Sequence, residues 1–223
     1  MDTNTFNNLI SQTWPDLHAA STLGGGTFGT VYACTKTDAV TGVTQKEAVK
    51  VVRVDFTPED RANAEEEGIP FADYYRAVKE KRLQEIRWMV ALKSPHIVHI
   101  NGYTAIEEPD HSALYILIRM DCLTALDQLR PAHLDDTPEQ AAALAEKVAL
   151  DICDALRVCH QNGVLHRDIK PANILCSDAG DFYLGDFGIS KGTAQQASMT
   201  SSGTLEYAPR EVMTGQYDHR ADL

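Results

Sequence analysis

The sequence predicts an α+β fold in two parts: a strand-rich N-terminal portion carrying one long helix, then a mainly helical C-terminal portion. Three observations predict it. Two β-branched runs, "GTVYACTKT" and "EAVKVVRV", flank a glycine cluster and read as strands around a tight turn. A single stretch, the second half of residues 55–93, breaks this strand pattern with apolar residues at helical spacing. After about residue 118 the character changes, and a long amphipathic helix pattern opens at Thr137.

The elements follow in order. Residues 1–16 form an N-terminal extension, and "MDTNTFNNLISQTWPD" lacks the basic start and apolar run of a secretory signal. "HAASTLGGGTFGTVYACTKT" and "EAVKVVRV" supply the first strands, with "DAVTGVTQ" as their hairpin connection. The first half of "DFTPEDRANAEEEGIPFADYYRAVKEKRLQEIRWMVALK" is acidic and turn-rich. The helix after it places Leu83, Ile86 and Val90 on one face and stops at Ser94 and Pro95. "HIVHINGYTAI" and "SALYILIRM" read as two more strands, which closes the first portion, 17–118.

In the second portion, 119–223, Thr137 is placed as N-cap, Pro138 at the first helical position and Gln140 as the reciprocal partner of a capping box. Leu144, Val148, Ile152, Ala155 and Cys159 then recur on one face, and Gly163 fits the C-terminal cap. Short apolar runs and a Ser/Thr-rich loop follow. The final "DHRADL" reads as the first turn of another helix.

Composition narrows the function. Asp and Glu outnumber Lys and Arg by 32 to 20, a formal charge of −12, which argues against nucleic acid or an anionic membrane as partner. No apolar run approaches the roughly 20 residues of a membrane helix. Five cysteines, Cys34, Cys122, Cys153, Cys159 and Cys176, never form Cys-x-x-Cys and are expected as reduced, buried thiols of a cytoplasmic protein.

Four motifs carry chemistry. Gly24, Gly26 and Gly29 make G-x-G-x-x-G-x-V, whose amides suit a phosphate chain but which also fits a tight hairpin without ligand. A strand follows these glycines, which excludes the dinucleotide form of the pattern. Lys50 sits among Ala48, Val49, Val51 and Val52, and there it needs an exposed edge or a charged partner. Glu85 and Glu80 are the rival partners. In "VLHRDIKPANILC" the polar Asp168, Lys170 and Asn173 crowd between apolar runs, where polar groups must be paired or at work. "YLGDFGISK" adds Asp186, which with Asn173 supplies the hard oxygens that Mg²⁺ takes.

With all four present and in this order, the chain from about residue 17 onward resembles the eukaryotic-type serine/threonine protein kinases, including those of bacteria. The resemblance implies a bilobal protein-kinase-like fold and transfer of the γ-phosphoryl of Mg-ATP to Ser/Thr hydroxyls of protein substrates. It implies that Leu23, Gly24, Gly25, Gly26, Thr27, Phe28 and Gly29 cover ATP. Val31, Ala48 and Leu175 would sandwich the adenine, with Met120 in the hinge of residues 119–121 and Ile118 as gatekeeper. Lys50 would hold the phosphates, aimed by Glu85 because kinases place this glutamate shortly before a segment like "SPHIV". Asp168 would orient the substrate hydroxyl and accept its proton, Lys170 marks the serine/threonine class, and Asn173 and Asp186 would hold Mg²⁺. Met89, Ile100, His166 and Phe187 would stack as a spine.

The resemblance also implies a loop phosphate at Ser198, Thr200, Ser201 or Ser202 that pairs with Arg167, and Thr204 supports the serine/threonine class. Two departures stand out. The family's Ala-Pro-Glu reads "YAPREV", so Arg210 replaces either its proline or its glutamate, with Glu211 following. And "DHRADL" matches the entry to the central helix of the family's C-terminal lobe, with Asp222 bracing the backbone at His166 and Arg167. The expectation is therefore a catalytic domain cut short there. The alternative to an active kinase is a catalytically inactive, truncated nucleotide-binding regulatory module.

Overall fold

The computed structural model describes residues 1–26, 29–129, 136–187 and 219–222. The fold is α+β and divides into two compact units, one of Met1–Trp88 with His99–Cys122, the other of Met89–Val98 with Leu123–Leu223.

The first unit opens with α1 (Thr3–Ile10), started by Asp2, whose side chain accepts from the Thr5 amide at 2.8 Å. Five antiparallel strands follow: β1 (Leu17–Gly26), β2 (Gly29–Thr37), β3 (Thr44–Asp55), β4 (Ile100–Glu107) and β5 (Ala113–Asp121), ordered β1-β2-β3-β5-β4. β3 is therefore a central strand, and Ala48, Val49, Lys50, Val51 and Val52 are all buried. Lys50 is not on an edge.

Register sorts this sheet into two faces. Directly paired residues share a face, so Tyr32, Val49 and Arg119 lie on one, with Cys34, Glu47 and Asp121. Val31, Lys50 and Ile118 lie on the other, with Ala33, Ala48 and Met120. α1 covers the first face. Phe6 and Ile10, one turn apart, are fully buried with Leu17, Tyr32, Cys34, Val49, Val51 and Leu117.

Two more helices complete the unit, α2 (Pro58–Glu66) and α3 (Phe71–Ala91, whose last turn enters the second unit). α2 replaces the turn-rich stretch expected from the sequence. Thr57 and Asp60 form its capping box, but only Ala64 is buried, so no apolar stripe announced it. α3 is tied to the sheet by the Tyr75 hydroxyl on the Ala113 carbonyl (3.3 Å) and by Lys79 on Glu107 (2.5 Å). Ile86 is fully buried, but Val90, one turn on, is 45% exposed and does not join the core.

The second unit is built on α5 (Pro138–Gln161), which follows the short β6 (Thr124–Ala125) and α4 (Leu126–Leu129). The predicted capping box is present: Thr137 accepts from the Gln140 amide at 3.3 Å and Gln140 from the Thr137 amide at 2.8 Å. Ile152, Ala155, Leu156 and Cys159 pack with Ile174, Cys176, Phe182 and Leu184 of β7 (Ile174–Cys176) and β8 (Phe182–Leu184). Leu144 and Val148 pack against the same cluster, as the spacing required. Ile97 and Val98, expected at the start of a strand, instead bond β8: the Leu184 amide donates to His96 and the Val98 amide to Leu184. The cysteines also differ from expectation, since Cys153 is exposed and Cys122 half-buried. No described helix is long and apolar enough to cross a membrane.

Candidate active site

In the first unit the glycine cluster lies at the β1–β2 turn. Thr27 and Phe28 fall outside the described residues. Gly29, at φ +118°, admits no other residue: a Cβ there would lie 2.2 Å from the Val51 carbonyl oxygen. Gly24, by contrast, faces open space for 4 Å around a built Cβ, and Leu23 is exposed. One glycine therefore serves the fold, while another leaves the room a phosphate chain would need.

Val31, Ala48, Lys50 and Met120 occupy one sheet face, set there by strand register. Glu85 is buried on α3, where its Oε2 accepts from Arg82 at 3.3 Å and its Oε1 has no hydrogen-bond partner. Burial pushes its carboxyl above the usual range, and the Arg82 charge offsets part of that shift. Glu85 thus pairs with Arg82, a neighbour not foreseen from the sequence. Arg82 lies three residues before Glu85, a separation that brings side chains together on any helix.

The second unit gathers the residues of "HRDIKPAN" tightly. Lys170 Nζ lies 3.1 Å from Asp168 Oδ2. Asn173, on a 3₁₀ turn (Pro171–Asn173) that opens with Pro171, donates its amide to the Asp168 carbonyl at 2.7 Å and to Asp168 Oδ2 at 3.1 Å. Asp168 and Asn173 are both buried. The Gly185 amide donates to the Asn173 carbonyl at 2.9 Å, which ties the residue before Asp186 into the same cluster. Gly185 fits because its neighbours leave little room: a Cβ would lie 3.0 Å from Leu175 and 3.2 Å from Val98.

His166 closes the arrangement. Its Nε2–H donates to the Gly185 carbonyl at 2.8 Å, and its ring meets the edge of Phe187 at 4.8 Å. Its Nδ1 is buried without a partner, and burial holds its pKa below the ordinary value. Of the expected spine, Met89 and Phe187 belong to one apolar cluster here, while Ile100 belongs to the first unit. Arg167 (φ +63°) and Asp186 (φ +52°) both hold left-handed backbone, which costs about 1–3 kcal/mol each and is maintained only by strong surroundings.

Asp222 supplies some of that hold. It accepts from the His166 amide at 2.9 Å and the Arg167 amide at 2.6 Å, as expected. His160 of α5, not foreseen from the sequence, also donates to it at 2.9 Å. The available signal was its place next to Cys159, at the end of the apolar face of α5. Gly188, Ser198, Thr200, Ser201, Ser202, Thr204, Arg210 and Glu211 lie outside the described residues.

The family model for the protein kinase domain matches residues 17–223. This chain belongs to the protein kinase family. Aurora kinase B of Drosophila melanogaster is 36% identical over 146 residues, covering 65% of this chain and 43% of that protein. Aurora kinase B of Xenopus tropicalis is 27% identical across the whole chain and 56% of that protein. The serine/threonine-protein kinase PknH of Mycobacterium tuberculosis is 29% identical over 92% of this chain and 29% of that protein. The chain thus spans from under a third to just over half the length of these relatives. Animal and bacterial kinases match this kinase domain at similar identity, so identity does not separate the two kinds.

Proposed function

We propose that the chain is the catalytic domain of a serine/threonine protein kinase, transferring the γ-phosphoryl of ATP to Ser/Thr hydroxyls of cytoplasmic proteins. The observation that carries the reading is the Asp168 carboxylate, buried yet held by Lys170 at 3.1 Å and Asn173 at 3.1 Å. A carboxylate fixed this way is suited to orient an acceptor hydroxyl and take its proton. Lys170 pairs with it and would meet the transferred group.

The donor set suits magnesium. Mg²⁺ takes one or two protein oxygens and completes its shell with phosphates and water, and Asn173 and Asp186 offer an amide and a carboxylate oxygen. Bound there, the ion would offset charge developing on the phosphoryl oxygens. Lys50 would neutralise the non-transferred phosphates, and Glu85 would exchange Arg82 for Lys50 to aim it. Leu23, Gly24, Gly25, Gly26, Thr27, Phe28 and Gly29 would cover the phosphates, with Val31, Ala48, Leu175 and Met120 against the base.

The test is phosphotransfer from labelled Mg-ATP to a generic protein acceptor, with Asp168→Asn as comparison. General-base catalysis contributes about 10²–10⁴-fold, so the variant should lose at least a hundredfold while melting as the parent does. Equal rates in the two would remove Asp168 from this role. Binding of Mg-ATP, seen as a raised melting temperature, without any transfer would favour the regulatory module instead.

A further inference from the structure

Residues 1–16 precede the family match, which begins at residue 17, yet they are built into the first unit. Phe6 lies flat on Tyr32, ring centroids 3.9 Å apart and planes within 5°. The Tyr32 hydroxyl donates to the Met1 carbonyl at 2.6 Å, and the Ala19 amide to Asn7 at 2.8 Å. After α1 the chain turns, with the Trp14 amide on the Ile10 carbonyl, and Asp16 pairs with Lys36 at 2.6 Å. The segment is anchored at both ends and in the middle.

That anchoring delivers Trp14 to the end of β5. The Arg119 guanidinium sits 5.5 Å from the Trp14 ring and pairs with Glu47 at 2.8 Å. Gly102, opposite Arg119 on β4, faces the Trp14 indole, which a Cβ there would meet at an ordinary contact distance of 3.7 Å. Arg119 and Met120 are consecutive in β5, so they face opposite sides of the sheet. Trp14 and Glu47 hold the strand from one side, and Met120 presents to the other.

We propose that Trp14 is a positioning residue for nucleotide binding: by clamping Arg119 against Glu47 it fixes the main chain of Met120 where the purine is read. The proposal rests on the nucleotide-binding reading above. It assigns a role to a segment that the family match leaves out.

The experiment uses the full-length protein and Trp14→Ala, Trp14→Leu and Trp14→Phe. Amide hydrogen exchange of residues 117–122 is measured without nucleotide, and Mg-ADP affinity by calorimetry. A cation–π contact of about 1 kcal/mol corresponds to roughly fivefold in affinity. Trp14→Ala should speed exchange locally at 119–121 and weaken Mg-ADP roughly fivefold, with kcat at saturating ATP unchanged. Trp14→Phe, which keeps a ring face, should restore most of both. Trp14→Leu, which keeps apolar bulk only, should not, and this pair decides the matter if the alanine variant does not fold.

Unchanged exchange and affinity in the leucine variant would overturn the proposal. So would loss spread over the whole unit and shared equally by the phenylalanine and leucine variants, since that marks a packing contact only. A parent that protects 119–121 but binds no Mg-ADP would overturn the nucleotide reading, and the positioning role with it.

Discussion

Asp222 Oδ1 accepts the amide of Arg167 at 2.6 Å, and Arg167 is one of three described non-glycine residues in left-handed backbone. The same fully buried carboxylate takes the His166 amide and His160 Nε2. Three donors converge on a side chain that reaches them from 55 residues downstream of Arg167. Asp222→Ala orphans the buried His166 amide, the part-buried Arg167 amide and an imidazole N–H. Removing one partner of such a network costs about 3–5 kcal/mol, and Asp222→Asn, which keeps one acceptor, should cost less. Urea unfolding measures both. A loss below about 1 kcal/mol for the alanine variant would mean that Arg167 keeps its backbone without this brace.

The glycine cluster contains two kinds of glycine, and melting should separate them. Gly29→Ala brings a methyl within 2.2 Å of the Val51 carbonyl at φ +118°, so β2 or β3 must shift. Expected is a loss of about 2 kcal/mol or more. Gly24→Ala meets nothing within 4 Å and should leave melting within about 0.5 kcal/mol of the parent. Equal losses at both positions would contradict the assignment.

His166 gives the second unit a pH dependence of definite sign. Folded, it is neutral, because Nε2–H is committed to Gly185 and a proton on Nδ1 would be buried without an acceptor. The unfolded chain takes up that proton near 6.5 and the folded one only lower. Stability is therefore complete above about pH 6.5 and falls as the pH drops below it. His166→Phe abolishes this titration, so its stability relative to the parent should rise steadily from pH 7.5 to 5. A difference that stays constant with pH would remove His166 as the source.

What was legible in the sequence follows from where the information sits. α5 announced itself because Thr137, Pro138 and Gln140 satisfy its first amides locally, and because five apolar residues repeat on one face. The cluster around Asp168 was legible because polar residues so close together in sequence are close in space. α1 was not, since its two anchors, Phe6 and Ile10, have meaning only once Tyr32 and Leu117 lie beneath them. Arg119 gave no sign of Trp14, and Asp222 gave none of His160, for the same reason: each pair joins segments far apart in the chain. The partner of Glu85 is a different case. The structure pairs it with Arg82 where the sequence pointed to Lys50, and sequence order alone does not say which cation holds a buried carboxylate.

The burial of Glu85 sets its effect on stability against the catalytic role proposed for it. The carboxylate is buried, one oxygen lacks a hydrogen-bond partner, and its ion pair with Arg82 is long at 3.3 Å. Burial raises its pKa above 4.5, so the folded state keeps the proton longer than the unfolded one. The parent should therefore lose stability as pH rises from 4.5 through that raised value. Glu85→Gln cannot ionise and escapes the loss. At pH 7 it should melt at the parent's temperature or up to roughly 3 °C higher. If Glu85 serves catalysis by turning to Lys50, the same variant should lose at least about tenfold in phosphotransfer, the exchange of stability for function common at active sites. A glutamine variant that melts lower but transfers phosphate normally would make Glu85 a structural residue of α3 and nothing more.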